Sequence, residues 1–130
     1  MHSPGYRGRR PSTHELLETL FGEAMAVVRA EYASRLTLAD LAGRLATSPR
    51  QLRRAFAEIG GASFRFHLRA VRMERAADLL LATELSVKEV GARVGYREPS
   101  QFTKTFKQVH SSTPSSFRSR RPGVNRPTLT

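Results

Sequence analysis

One pattern occurs twice in this chain, as TLADLAGRLATSPRQLRRAF at residues 37–56 and as SVKEVGARVGYREPSQFTKTFK at residues 86–107. The two copies match at an offset of about 50 residues, with one extra residue in the middle of the second copy. The matches run from Leu38 to Ile59 in the first copy and from Val87 to Val109 in the second. The repeat predicts two copies of one supersecondary unit.

Each copy has the features of a helix-turn-helix, in which two short helices meet at a tight turn. Ala42 and Gly91 supply the small residue that is needed where two helices approach closely. Gly95 suits the turn, and Ala46 is its weaker counterpart in the first copy. Ser48 is a suitable N-cap for the second helix. Such a unit leaves one face of its second helix free to enter a major groove of DNA.

The second helix of the first copy has a basic outer face, because successive helical residues are about 100° apart. Leu52, Ala55, Phe56 and Ile59 then point inward. Arg50, Arg53 and Arg54 point outward, and guanidinium groups suit guanine edges or phosphates. The alternative is an ordinary solvated basic face.

The second helix of the second copy has an outer face with less charge. Phe102, Phe106 and Val109 are predicted to point inward. The outward residues are Ser100, Thr103, Lys104 and Lys107, with Gln101 on the flank. Glu98 occupies the N-cap position and is a poorer cap than Ser or Asp. This helix is therefore predicted to bind DNA bases more weakly, or with less sequence discrimination, than the second helix of the first copy.

Helical spacing extends over the rest of the chain, and no segment alternates as a strand does. Ser12 and Glu15 form a capping-box pair for a first helix, whose inner stripe contains Leu16, Leu20, Ala24, Val27 and Val28. The fold class predicted is all-α, with about seven helices in two helix-turn-helix subdomains joined by a long linker helix. The predicted divisions are a disordered basic tail at 1–11, a first subdomain at 12–62, a linker helix at 63–83, a second subdomain at 84–118 and a disordered Arg/Pro tail at 119–130.

Composition indicates a polyanionic partner. The net charge is +11, from 22 basic and 11 acidic residues, and all the acids lie between Glu15 and Glu98. Seven arginines stand at the two ends, namely Arg7, Arg9, Arg10, Arg118, Arg120, Arg121 and Arg126. Nucleic acid is the favoured partner, because neutralised phosphates release counterions. Solvated ends, a membrane surface or an acidic protein are the alternatives.

The sequence favours a cytoplasmic, nucleoid-associated protein that is not an enzyme. It has no cysteine, no apolar run of about 18 residues and no secretory signal. The four histidines are far apart, and no nucleophile lies in a pattern with a base. We therefore expect no catalytic residue, no cofactor and no metal, and no association with a membrane.

The chain resembles the DNA-binding domain of the AraC/XylS family. The resemblance is carried by these two copies, by the linker FHLRAVRMERAADLLL (residues 66–81) and by TPSSFR (113–118). The resemblance covers about residues 21–118. It implies two reading helices in successive major grooves of an asymmetric site of about 20 bp, bound by a monomer. No ligand-binding domain precedes the helices in this sequence, so we expect a chain similar to the stand-alone regulators of that family, with a domain excised from a longer protein as the alternative.

The resemblance also assigns roles to individual positions. It implies base reading by Arg50, Arg53, Arg54, Ser100, Gln101, Thr103 and Lys104. It implies a contact to the DNA backbone by Lys107, and we predict further backbone contacts by Ser48, Arg97 and Arg118. The family usually has an aromatic residue and then glycine where this chain has His110 and Ser111.

The function predicted is sequence-specific binding of double-stranded DNA by a transcription regulator, expected to be an activator that contacts RNA polymerase. The first helix either covers the local core or offers a docking surface to the polymerase, a partner protein or a second copy. Two other functions stay open. One is a non-specific architectural binder driven by the basic tails, and the other is an interaction module that kept the fold.

Overall fold

The computed structural model describes residues 11–120, and within that range the chain is all-helical, as predicted. The seven helices are α1 (Thr13–Glu31), α2 (Leu38–Arg44), α3 (Pro49–Glu58), α4 (Phe64–Ala82), α5 (Val87–Arg93), α6 (Pro99–His110) and α7 (Pro114–Arg118). The predicted disordered tails lie outside the described residues, apart from positions 11, 119 and 120.

Side-chain caps fix where most of these helices begin. The Ser12 backbone N–H donates to Glu15 Oε1 at 2.8 Å, and the Glu15 N–H donates to Ser12 Oγ at 3.1 Å, which completes the predicted capping box. The side-chain oxygens of Thr37, Ser48, Ser86 and Thr113 each accept from the backbone N–H three residues on. Helix α6 begins differently, because Glu98 makes no side-chain cap hydrogen bond. Its start lacks a contribution that is typically about 1 kcal/mol.

The contacts divide the chain into two compact units, each with one helix-turn-helix. Among the described residues, the first unit holds 11–30 together with Leu36–Phe64, and the second holds Glu31–Arg35 together with 65–120. The short segment 31–35 therefore belongs to the second unit although it precedes the first helix-turn-helix in the chain.

The first unit buries one face of each of its helices. Its buried apolar residues are Leu17, Ala24 and Val28 of α1, Leu41 and Ala42 of α2, and Leu52, Ala55 and Phe56 of α3. The Phe56 ring packs edge-on against Phe21 and Phe64, with centroids 5.5 and 5.6 Å apart. Burial of these side chains drives the packing of α2 on α3.

The inner stripe of α1 differs from the prediction at its first position. Leu16 is 50% exposed, whereas Leu17 is 1% exposed. The buried stripe runs through Leu17, Ala24 and Val28, which lie on one face of a helix. Leu16 is about 100° away from Leu17 around the helix axis and points to solvent.

The second unit has a core of aliphatic and aromatic residues, namely Met73, Ala76, Leu80, Val90, Val94, Phe102 and Phe106. The requirement for a small residue at position 91 is confirmed, because an added Cβ would lie 2.9 Å from the Phe102 ring. The predicted inward orientation of Val109 is wrong, since its side chain is 40% exposed. The His110 ring takes that place, with its centroid 4.3 Å from that of Phe106.

The two helix-turn-helix turns have the same hydrogen-bond pattern. The Thr47 N–H donates to Ala42 O and the Tyr96 N–H to Gly91 O, each at 2.9 Å. The residue before each donor has a positive φ, which is 55° at Ala46 and 106° at Gly95. This is the Schellman arrangement of a helix C-terminus. The predicted correspondence of these two positions is therefore confirmed.

Candidate nucleic-acid interface

Helix α3 presents a basic surface in the first unit. Arg50, Arg53 and Arg54 are all exposed, whereas Leu52, Ala55 and Phe56 on the opposite side are buried. Arg54 Nε is 2.7 Å from Glu58 Oε2, and both side chains are about half exposed. An ion pair this exposed contributes little stability and is easily exchanged for another partner. The three guanidinium groups offer hydrogen-bond donors on one helix face.

Helix α6 presents a less charged surface in the second unit. Ser100, Lys104 and Lys107 are exposed, and Thr103 is half-buried. Gln101 is exposed, and its Nε2 donates to Thr105 Oγ1 at 3.3 Å. This bond orients the amide, and its Oε1 remains an acceptor. Helix α6 thus offers both donors and acceptors, whereas the arginines of α3 offer donors alone.

Two of the positions assigned to the DNA backbone lie just before or at the start of these helices. The Ser48 hydroxyl oxygen accepts from the Gln51 N–H at 3.0 Å, so this residue caps α3 and still has a hydroxyl proton to donate. Arg97 is exposed and stands two residues before the first residue of α6.

The side chain of Arg118 has a different environment from the one predicted. Its Nε donates to Leu80 O at 3.0 Å and its Nη2 donates to Thr83 O at 3.2 Å. Leu80 belongs to the last turn of α4, and Thr83 directly follows that helix, so both carbonyls lack helical partners. The geometry therefore favours a capping role inside the second unit over a contact with the DNA backbone.

The sequence did not single out Arg72, which is a central residue of the second unit. Its Nε donates to Tyr32 O at 2.7 Å and its Nη2 donates to Ser34 O at 2.9 Å. Burial lowers the pKa of its guanidinium. Its position offered a signal, because Arg72 is four residues from Leu68 and four from Ala76, both buried. An arginine in the middle of such a stripe indicates a buried polar partner.

Gly95 is required beside Arg72. An added Cβ would lie 3.1 Å from the Ala33 carbonyl oxygen and 3.1 Å from the Arg72 guanidinium. Its φ of 106° also disfavours any other residue. The turn of the second helix-turn-helix and the segment 31–35 therefore meet at this glycine.

Among residues 11–120, no group of three or more His, Asp or Glu residues is arranged to hold a metal ion. No helix in this part of the chain is long and apolar enough to cross a membrane.

Comparison with known proteins gives consistent matches. A family model described as a helix-turn-helix domain matches residues 41–120. An HTH-type transcriptional regulator of Mycobacterium tuberculosis is 43% identical over 81 residues, which are 62% of this chain and 23% of that protein. The C-terminal domain of AraT, a response regulator from Geobacillus stearothermophilus, has a TM-score of 0.79 at 33% identity, covering 86% of this chain and 93% of that one.

A further similar structure was determined with DNA. The DNA-binding domain of AdpA, a global transcriptional factor, in complex with a target DNA, has a TM-score of 0.74 at 28% identity. The match covers 80% of this chain and 97% of that one. The chain spans only part of the length of the curated relatives it matches, from 12% of one to 41% of another.

Proposed function

Because the chain belongs to the AraC-type family of helix-turn-helix transcription regulators, we propose that it binds specific sites in double-stranded DNA through α3 and α6. The observation that carries the proposal is that each unit buries one side of its second helix and exposes polar side chains on the other. That arrangement is how a helix-turn-helix reads a major groove. The family is one of transcription regulators and not of enzymes.

In this proposal the two reading helices contribute differently. The arginines of α3 read guanines, since a guanidinium can donate to guanine O6 and N7 together. On α6, Gln101 and Lys104 read bases with Ser100 and Thr103 beside them, whereas Lys107 and Arg97 contact phosphates. Their exposure or half-exposure supports these roles. We expect α3 to supply most of the specificity.

The proposed site is asymmetric and about 20 bp long, because two different helices would occupy two successive major grooves. One chain carries both readers, which favours binding as a monomer. In this proposal the protein has a first helix-turn-helix subdomain at residues 12–62, a linker helix at 63–83 and a second helix-turn-helix subdomain at 84–118.

The experiment that tests this function is a binding selection from a random DNA pool at about 150 mM salt with excess competitor, where specificity outweighs the general attraction of phosphates. The expected result is an enriched asymmetric motif with two half-sites one helical turn apart. A single enriched half-site would mean that α6 contacts only the backbone. If no motif were enriched and affinity collapsed with rising salt, the protein would be a non-specific binder.

Activation through contact with RNA polymerase is the regulatory part of the proposal. The same purified protein can be added to the polymerase on a promoter that carries the selected motif. An increase in transcript identifies an activator, and a decrease identifies a repressor.

A further inference from the structure

The second unit contains an open cleft of about 740 Å³ beside the start of α6. The segment 31–35 lines one part of it, and residues of α4, α5 and the turn before α6 line the rest. Its charged residues are Arg35, Arg72, Arg97 and Glu98. The predicted base reader Gln101 also lines it. The cleft therefore adjoins the surface that is proposed to read DNA.

Arg72 gives this cleft a fixed positive charge. Its guanidinium is held by two backbone carbonyls, at Tyr32 and Ser34. It also lies over the Tyr96 ring, 5.6 Å from the ring centroid. Neither the carbonyls nor the ring has a net charge, so these contacts orient the cation without neutralising it. By holding residues 32–34, Arg72 also positions Arg35 at the cleft.

Two further arginines lie at this cleft without an acidic partner. Arg35 and Arg97 are exposed, and neither forms an ion pair with any of residues 11–120. Arginines that line one cleft without an acidic partner are available to an anion that enters it. Guanidinium groups bind phosphate with two parallel hydrogen bonds, which suits an oxyanion at this position.

We propose that this cleft binds one phosphate of the DNA backbone next to the bases that α6 reads, with Arg35 and Arg97 as its donors and Arg72 as the residue that positions Arg35. The inference rests on the proposed DNA-binding function and adds Arg35, which lies outside both copies of the helix-turn-helix, to the phosphate contact proposed for Arg97. A phosphate held there sets the register of α6 on the duplex, because backbone contacts position a reading helix while base contacts specify the sequence.

Glu98 is the one acidic residue that lines the cleft. It makes no cap hydrogen bond to α6, and no ion pair joins it to another of residues 11–120. Its carboxylate opposes a phosphate bound beside it. Glu98 and Arg35 therefore provide two substitutions with opposite expected effects at the same site.

The test uses the full chain and the DNA motif that it selects. Dissociation constants are measured from about 50 to 200 mM salt for the wild type, for Arg35→Gln and for the control Arg65→Gln, an exposed arginine of the second unit outside the cleft. Arg35→Gln should weaken binding about tenfold at low salt. One lost phosphate contact lowers the salt slope by about 0.9, so the loss should shrink about 3.5-fold by 200 mM. Arg65→Gln should leave the slope unchanged.

A second measurement locates the phosphate. Each phosphate near the α6 half-site is replaced in turn by an uncharged methylphosphonate. One replacement should weaken binding of the wild type more than binding of Arg35→Gln, because the variant has lost the Arg35 contact to that phosphate and keeps only the Arg97 contact. Glu98→Gln should strengthen binding about threefold, and the same replacement should remove the gain.

The proposal is overturned if Arg35→Gln keeps the affinity and salt slope of the wild type on a motif that the wild type selects. It is also overturned if Glu98→Gln weakens binding, or if no single methylphosphonate position distinguishes the wild type from Arg35→Gln. Each of these results would leave the proposed function intact. Failure of the proposed function is recognised earlier, because no motif would then be selected for the titrations.

Discussion

Arginine side chains have two different uses in this protein. Arg72 and Arg118 are partly buried, and each donates to two backbone carbonyls more than 30 residues away in the chain. Arg50 and Arg53 are exposed on α3. A guanidinium has five N–H donors in a rigid plane, so it can tie down carbonyls inside a unit as readily as it can bind bases or phosphates. Residue type alone does not separate the two uses.

Arg54→Ala should weaken binding to the selected DNA site by about 1–3 kcal/mol and relax the preference at one base position. The reason is the loss of one bidentate contact to a base edge. The measurement is a titration of the site and of its single-base variants.

Glu58→Ala is the matched control for this substitution, since it removes the Arg54–Glu58 ion pair and leaves the guanidinium in place. Its base preference should be that of the wild type. If Arg54→Ala weakened random DNA as much as the selected site, Arg54 would not be a base reader.

Ala46→Gly should stabilise the protein by about 0.5–1 kcal/mol. Ala46 has a φ of 55°, in the left-handed region where a Cβ is unfavourable. Chemical denaturation measures the change in the free energy of unfolding. Ser111, with a φ of 63° at the end of α6, has the same strain, and the family resemblance places a glycine there.

Ala26→Gly is the control for backbone conformation, since Ala26 is exposed in the middle of α1. There the same substitution should destabilise the protein by about 1 kcal/mol. If both substitutions changed the free energy of unfolding in the same direction, the positive φ at Ala46 would not be a source of strain.

At the scale of the element, the start of α5 is held by a capping box that contains the titratable carboxyl of Glu89. The Ser86 backbone N–H donates to Glu89 Oε1 at 2.7 Å, and the Glu89 N–H donates to Ser86 Oγ at 3.1 Å. The hydrogen bond from the Ser86 backbone is the main cause that lowers the pKa of the Glu89 carboxyl. The carboxylate form of Glu89 is therefore favoured in the folded protein.

A lowered pKa in the folded state gives stability that is complete above the carboxyl pKa of the unfolded chain and is lost as the pH falls through the folded value. The Glu89→Gln variant keeps an oxygen acceptor and does not titrate. We therefore expect its deficit in unfolding free energy relative to the wild type to be present at about pH 7 and to shrink at about pH 3. A deficit that is constant with pH would contradict the role of the carboxylate at this cap.

At the scale of the whole molecule, charge at the chain ends should govern affinity more than specificity. Removal of residues 1–11 and 120–130 takes away six arginines. The salt slope of DNA binding should then fall by about 0.9 for each phosphate these arginines contact. The ratio of affinities for selected and random DNA should stay the same or rise. An unchanged slope would show that the ends do not contact DNA.

The features that could be predicted from the sequence are those that depend on near neighbours along the chain. The caps at Ser12 and Ser48 and the turns at Ala46 and Gly95 each involve residues within five positions. The repeat supported the prediction of the two turns, because Ala46 and Gly95 occupy matching positions in the two copies. The exposed side of α3 followed from helical periodicity in the same way.

The features that could not be predicted depend on which residues meet across the fold. Arg118 reaches Leu80 over 38 positions, and Arg72 reaches Tyr32 over 40. No local pattern encodes these distances. The predicted inward orientation of Val109 was wrong for a related reason. Whether a side chain in the last turn of a helix is buried depends on the residues that are near it in space. The cleft beside α6 is likewise a product of tertiary structure.

The assignment of residues 31–35 to the second unit has a consequence for inheritance. The chain passes from the first unit to the second, back to the first and then to the second again. Any single recombination breakpoint within residues 31–64 therefore separates parts of at least one unit. If the breakpoint lies after residue 35, Arg72 comes from one parental gene and the segment 31–35 that it bonds comes from the other. An exchange of one helix-turn-helix between related genes has to keep the hydrogen bonds from Arg72 to the backbone carbonyls of Tyr32 and Ser34.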